Sequence, residues 1–387
     1  MSSPYRVTTV ASVRNVPKEA WNALVSGAPC VNRWEWLDAL ERSGSAVPQR
    51  GWQGCHFIAW RGEKRVGIAP AWLKGHSMGE YIYDFGWANA ASSFGVEYYP
   101  KLLVGVPLSP LTSPRFHVAT GENAGEVRAA MVKAMQTFAQ ERGLSSMHVI
   151  FPPEAEAHAL QDLGFFHRVT LQYHWRNRGY RFYDDYLARF DAKRRHQLKR
   201  ERAAAAAQGI VLRTVRGTQL TPEHAQLAYR FYESTVEKNG WGQVQLTPAF
   251  FERVFATLPE HVELVVASRN GKPIAGAFNL SSPTHLYGRY WGCFEEHPFL
   301  HFHVCLYHSI DDCIARGLQT FEPGAGGEHK ISRGFEPTAV HSAHRIFDAP
   351  FERAVKDAVR RETQHLAPVI ADAQTIAGLK PLKGSGG

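Results

Sequence analysis

Glu328-His329-Lys330 directly follows the glycine-rich stretch Gly324-Ala325-Gly326-Gly327, and these are the first residues to suggest chemistry. Glu328 or His329 can take a proton from an amine. Lys330, or the backbone N–H groups of the glycine turn, can face an oxyanion or a phosphate. The competing reading is a surface loop with a local Glu–Lys pair. Glu80 and Asp84 stand four residues apart in 80–87, where Tyr81 and Tyr83 alternate with them. That alternation predicts a strand, so both carboxylates share one face and can hold an ammonium group or act as a base. Trp87 ends the segment. Gln172-Tyr173-His174-Trp175 offers His174 as a base or as a hydrogen-bonded core residue. Arg289 lies between Tyr287 and Tyr290, a setting that suits carboxylate or phosphate binding, or cation–π packing on a sheet.

The strongest charge feature is 193–202, where six cations stand against the single anion Glu201. At about 3.6 residues per turn Arg195, Lys199 and Arg202 share one helix face, with Arg194 and Arg200 further round. Such a face neutralises phosphates, or is simply solvated. His301, His303 and His308 come without carboxylates or cysteines at ligand spacing, so no metal site is expected. No G-x-S-x-G occurs, which leaves a hydrolase reading without support.

These residues need a scaffold. At roughly 100–200 residues per domain, 387 residues suggest two domains, and 44% apolar with 21% charged residues is ordinary globular composition. No apolar run approaches the ~20 residues of a membrane span, and the first residues have no secretory pattern. A cytoplasmic protein is expected. The net charge of +8 favours an anionic partner. Cysteines at 30, 55, 293, 305 and 313 are odd in number and form no C-x-x-C, so free thiols in a reducing compartment are expected.

Helical spacing marks 34–41 and 125–142, the latter with an apolar stripe of Val127, Met131, Ala134, Met135 and Phe138 stopped by Gly143. Runs at 55–60 and 66–73 around a polar turn read as a hairpin, followed by strands at 80–87, 101–106, 147–151 and 170–175 and a helix at 154–163. A charged helix covers 193–208. Strands at 210–215, 262–268, 274–280 and 319–323 follow, with helices at 222–238, 248–257 and 303–316. Strand, basic turn and apolar strand at 57–67 recur about 208 residues later at 265–276, which predicts a tandem duplication divided near residue 180, with domains 1–180 and 181–383.

A hairpin feeding strand–helix–strand–helix–strand resembles the GNAT acyltransferase fold, here doubled. Sharper motifs are Gly79-Glu80-Tyr81-Ile82-Tyr83-Asp84-Phe85-Gly86-Trp87-Ala88, Tyr98-Tyr99-Pro100-Lys101-Leu102, Gln172-Tyr173-His174-Trp175, Tyr287-Gly288-Arg289-Tyr290-Trp291-Gly292 and Glu322-Pro323 through Gly334-Phe335. Together, over about 33–365, they resemble the FemAB-like family of bacterial proteins in the GNAT N-acyltransferase superfamily. Ser113, before Pro114-Arg115, departs from the glycine usual there. The resemblance implies an α/β fold of tandem GNAT-like, Fem-type domains with a mixed central sheet in each. It implies amide-bond formation by transfer of an aminoacyl group from aminoacyl-tRNA to a primary amine of a small molecule, peptide or cell-wall precursor. The alternatives are acyl-CoA as donor, or a non-catalytic module that binds an anionic precursor. No tightly bound cofactor is expected. The candidate catalytic set is Glu328, His329, Lys330 and Asp84. The substrate set is Glu80, Trp87, His174, Trp175, Tyr287, Arg289, Tyr290 and Arg333. Arg194, Arg195, Lys199, Arg200 and Arg202 are expected to bind phosphate or tRNA. The Q/R-x-x-G-x-G/A loop that would hold a CoA pyrophosphate is absent from both halves, and Gly121-Glu122-Asn123-Ala124-Gly125 is a partial substitute.

Overall fold

The computed structural model describes residues 4–239 and 244–380, which form two compact units. Of the described residues the first comprises 4–170, 245–250 and 339–365, and the second 171–239, 244, 251–338 and 366–380. Among the described residues fifteen strands run in order: β1 (Arg6–Val10), β2 (Trp52–Gly54), β3 (His56–Arg61), β4 (Lys64–Ala69), β5 (Ala71–Lys74), β6 (Lys101–Val104), β7 (His117–Val118), β8 (Ser146–Ile150), β9 (Phe166–Arg176), β10 (Ile210–Arg216), β11 (Val262–Arg269), β12 (Lys272–Ser281), β13 (His285–Cys293), β14 (Thr320–Glu322) and β15 (Glu336–Ile346).

In the first unit β1, β3, β4 and β7 form an antiparallel sheet, and β2, β5, β6, β8 and β15 a mixed one in which β6 and β8 are parallel. The expected single strand 66–73 is broken at Pro70, so that β4 pairs with β3 and β5 with β6. Proline has no N–H to give a ladder, which makes it the natural break. In the second unit the order is β10, β11, β12, β13, β14, β9, antiparallel except for the parallel pair β13–β14. Each unit thus takes its last strand from the other half of the sequence: β8 pairs with β15, and β14 with β9.

The repeat is real at the level of register. Both hairpins carry a bulge at the same place, Ala59/Trp60 in the first and Ala267/Ser268 in the second. Their turns use left-handed residues, Gly62 in one and Asn270-Gly271 in the other, which the right-handed strand twist favours.

In the first unit the helix Ala124–Glu141 starts where the Asn123 side chain accepts from the N–H groups of Gly125 and Glu126. It buries Val127, Met131 and Met135 against Phe57, Ala59, Met147 and Val149. In the second unit the core holds Trp175, Tyr186, Phe190, Leu198, Tyr307, Ile310 and Phe321. The helix Pro222–Asn239 lies so close to the sheet that a Cβ at Gly292 would meet the Phe231 carbonyl oxygen at 1.7 Å. Backbone cannot retreat like a flexible side chain, so Gly292→Ala is expected to cost about 2–3 kcal/mol. Urea unfolding checks this, and a loss under 0.5 kcal/mol would contradict the packing.

Several elements differ from expectation. The segment 80–87 is not a strand: Gly79 and Tyr81 adopt left-handed φ (81° and 64°), and the chain enters a helix, Phe85–Ala91. β13 and β15 were not expected, because Gly288 and Gly292 in one and the adjacent polar pairs His341-Ser342 and His344-Arg345 in the other obscure the period of two. The helix Ala349–Ala377 continues through Pro368, a residue that ordinarily reads as a stop.

Candidate active site

Successive side chains of a strand point to opposite faces. Trp175 on β9, Leu286 on β13 and Phe321 on β14 all enter the apolar core of the second unit. Their neighbours, His174 and Arg176, His285 and Tyr287, Thr320 and Glu322, therefore line the other face, and His174, Tyr287, Thr320 and Glu322 are buried there. The ladder between β12 and β13 shifts at Phe278/Asn279, with Gly288 opposite Asn279 and Tyr290 opposite Phe278. The extra residue is Arg289. The bulge turns it onto the side of Tyr290, whose hydroxyl it reaches at 3.3 Å and over whose ring it lies at 5.1 Å.

Glu322 is the unusual member of this face. Its Oε2 is buried and has no hydrogen-bond partner. Burial pushes its carboxyl up to about 8, against the downward pull of Arg176 and Arg289. A buried orphan oxygen calls for an explanation, and proton transfer is one. It was not among the expected site residues. The available signal was an acid ending a short apolar strand just before Pro323-Gly324. His174 lies on the same face. Burial, then Arg176 and Lys330, lower it to about 3, and its Nε2 meets Gln172 Oε1 at 3.1 Å. At neutral pH it is an uncharged hydrogen-bonding group.

The chain leaves β14 into the glycine turn, where Gly324, Gly326 and Gly327 all have left-handed φ. Lys330 folds back over it. Its Nζ donates to the carbonyl oxygens of Gly324 at 2.9 Å and Gly326 at 2.7 Å, with Pro323 at 3.4 Å. Burial lowers this ammonium to about 8. Its protons are spent on the turn, so Lys330 shapes the loop, and the backbone N–H groups, the other option read from the sequence, are the donors left to face an oxyanion. Lys330→Met is expected to lower stability by about 1 kcal/mol, since it removes the ammonium that ties three partly buried carbonyls of the turn together. Unchanged urea unfolding would remove that role. The side chain of Glu328 lies outside the described residues.

His329 leads to a cavity of about 630 Å³. Its ring lies 5.6 Å from His301 and 5.5 Å from Phe302, two of the lining residues, and His301 lies 4.5 Å from Trp291. Arg333 covers Phe302 at 3.4 Å and ties the turn to the basic helix through Glu201 at 2.8 Å and the Tyr307 hydroxyl at 3.0 Å. Its engagement with protein groups makes it a brace. Trp175 is fully buried in the core and presents nothing to a substrate.

The basic helix spans Ala192–Ala207, capped by Asp191, and buries only Leu198, Glu201 and Ala205. Three of the five cations expected to bind phosphate have protein partners. Arg202 makes a two-bond contact with Asp311 at 3.1 and 2.8 Å, Arg195 donates to the Phe190 carbonyl at 2.7 Å, and Arg194 bonds Gln197 at 2.8 Å and the Ile376 carbonyl at 3.1 Å. Lys199 and Arg200 are exposed, as is Lys193.

Glu80, Asp84 and Trp87 belong to the first unit. Though not on a strand, both carboxylates converge on Lys101 Nζ, at 2.9 Å from Glu80 and 2.5 Å from Asp84, all buried. Ser77 and Tyr98 also donate to Asp84. Burial raises Glu80 to about 7 despite Lys101, whereas at Asp84 burial is opposed by Lys101, His148 and the Ser77 hydroxyl together, which hold it at about 2. Trp87 packs on His344 with Arg168 4.9 Å over its ring. Among the described residues no group of His, Cys, Asp or Glu is placed to hold a metal, and no helix is long and apolar enough to cross a membrane.

Comparison with known proteins agrees with this architecture. Among solved structures the chain is similar to FemX, with a TM-score of 0.54 and 13% identity over 88% of this chain and 98% of that one. It is also similar to L-PGS from Bacillus licheniformis, with a TM-score of 0.50 and 10% identity over 91% and 97%. A tandem GNAT protein from the clavulanic acid biosynthesis pathway gives 0.43 and 12% over 88% and 98%. At such identities the likeness is one of fold. No curated protein matches the chain at a significant level. The FemAB-like family, described as peptidoglycan biosynthesis/recognition, matches residues 12–381. With nearly the whole chain covered, the protein belongs to the FemAB-like family.

Proposed function

We propose that this protein is an N-acyltransferase that moves an aminoacyl group from aminoacyl-tRNA to a primary amine, with its chemistry in the second unit. The observation that carries the reading is the buried, unpartnered Glu322 oxygen on the face that also holds His174, Tyr287 and Arg289. Glu322, as carboxylate, takes a proton from the acceptor ammonium. The freed amine attacks the ester carbonyl carbon, and the tetrahedral oxyanion is met by N–H groups of the glycine turn. The carbon–oxygen ester bond then breaks, the departing ribose oxygen takes the proton back from Glu322, and the new amide nitrogen gives up its surplus proton to solvent. Ester and ammonium become amide, alcohol and one released proton, with no further reactant. The family's description favours an acceptor amine on a cell-wall precursor.

The helix starts favour tRNA over acyl-CoA. The segment before the helix at Leu300 is Phe294-Glu295-Glu296-His297-Pro298-Phe299, with no glycine, a proline lacking N–H and two exposed carboxylates that would repel a pyrophosphate. Before Ala124, the first N–H groups are already taken by Asn123. The test is a donor assay with a charged bulk tRNA pool and, separately, acetyl-CoA, each with a panel of amines. Loss of esterified amino acid with amide formation supports the proposal. Turnover of acetyl-CoA alone makes this an ordinary acyl-CoA enzyme, and binding without turnover makes it a binding module.

A further inference from the structure

The most exposed aromatic among the described residues is Phe182, at 60%. It precedes the short helix Tyr183–Leu187, on the rim of a cavity of about 360 Å³ that Tyr183, Asp184, Leu187, Lys199 and Arg202 also line. None of the catalytic groups proposed above lies here. Each wall offers something different. Phe182 is a bare ring, with the Arg181 guanidinium 5.2 Å from its centre. Tyr183 is fixed under Arg202, which stands 3.6 Å over its ring while bonded to Asp311. Leu187 gives an apolar floor. Asp184 is an exposed carboxylate, an acceptor for N–H groups. Lys199 is an exposed ammonium, and Arg200 and Lys193 stand exposed on the same helix.

A flat ring, an N–H-bearing edge and a neighbouring phosphate are what this set matches. We infer that the notch between Phe182 and Lys199 receives one unstacked nucleobase of an RNA strand. The base lies on Phe182, its amino or imino edge meets Asp184, and the flanking phosphates meet Lys199 and Arg200. Aromatic platforms beside cations are the common means of holding unpaired nucleotides. An anionic membrane fits less well, because Asp184 lines the same cavity and a single aromatic gives little surface to insert. The inference rests on the reading that the donor is carried by tRNA, and it adds where an unpaired nucleotide of that RNA is gripped.

The experiment measures binding of deacylated tRNA, of a single-stranded RNA oligonucleotide and of an RNA duplex at two salt concentrations. The proteins are the unmodified chain, Phe182→Ala, Phe182→Trp and the pair Lys199→Glu/Arg200→Glu. Phe182 is exposed, so its variants keep the fold. Phe182→Ala is expected to weaken tRNA and single-strand binding about tenfold with an unchanged salt slope, and Phe182→Trp to restore it. The charge pair is expected to flatten the salt slope by about 1.4–1.8, two phosphate contacts' worth. The duplex is expected to be indifferent to Phe182. Full tRNA affinity in Phe182→Ala overturns this inference and leaves the donor reading standing. No tRNA binding at either salt overturns both. Phe182-dependent binding to vesicles of anionic phospholipid, without RNA binding, assigns the surface to a membrane and overturns the inference as well.

Discussion

Glu322→Gln is expected to lower amide formation by about 100-fold or more, the scale of a lost general base, with no loss of stability at pH 7. Both halves follow from the same fact. Burial holds the carboxyl at about 8, so at neutral pH it is mostly uncharged, and glutamine copies its shape and neutrality. Catalysis needs the carboxylate, so the unmodified enzyme's rate is expected to climb as pH passes through about 8. The glutamine variant is expected to lack that limb. Stability moves the other way. The folded value lies above the ordinary 4.5, so the stability tied to this proton is complete below about 4.5 and is lost as pH rises through about 8. The unmodified protein is therefore expected to weaken between pH 5 and 8 relative to Glu322→Gln. Urea unfolding at the two pH values, together with the rate profile, separates a proton carrier from a residue that only packs. A variant that keeps the pH-dependent limb would remove Glu322 from the chemistry.

Why Glu322 escaped a reading of the sequence while Lys330 did not is a matter of distance along the chain. Lys330 sits beside a glycine run, and local grammar announces it. Glu322 owes its character to β13 and β9, whose residues 285–287 and 175–176 lie far away in sequence yet flank β14. β13 itself was hidden because Gly292, which admits the helix at Phe231, and Gly288, which lies against Pro323, erase its alternation. The hairpins and the helices 34–42, 124–141 and 192–207 were legible, because their signals are periodic and capped within a few residues. The charge of the basic helix was legible too. Which cations are free was not, since the carboxylate that takes Arg202 is Asp311, and one carbonyl that takes Arg194 belongs to Ile376. Glu80 and Asp84 show the converse. Their convergence was anticipated, but on a strand that the left-handed Gly79 and Tyr81 forbid, and their common target is a lysine the spacing did not point to.

That lysine carries the largest expected effect on stability. Lys101 is fully buried between Glu80 and Asp84 and also donates to Ser77 at 2.8 Å. Lys101→Met keeps most of the volume but leaves two buried carboxylates without their cation, and breaking such a pair costs about 3–5 kcal/mol. The pH dependence identifies the cause. Asp84 is held at about 2 against an ordinary 3.8, so its contribution is complete above about 3.8 and is lost as pH falls through about 2. Without Lys101 the largest pull against burial is gone, the carboxyls rise, and the variant is expected to regain part of its deficit between pH 7 and 5 as they take up protons. In the unmodified protein Asp84 contributes constantly over that range and Glu80 alone, held at about 7, takes up a proton, so the gain on acidification is smaller. Adding Glu80→Gln and Asp84→Asn to Lys101→Met should recover most of the stability at pH 7, because a buried ion set and a neutral one of the same shape differ little in net energy. A Lys101→Met protein within 1 kcal/mol of the original at pH 7, or one that gains nothing on acidification, would mean that the cluster is hydrated and contributes little. Recovery in the triple variant would instead mark Glu80, Asp84 and Lys101 as a self-balanced brace for the loop leading into the helix Phe85–Ala91, whose charges serve each other and leave the proton chemistry to the second unit.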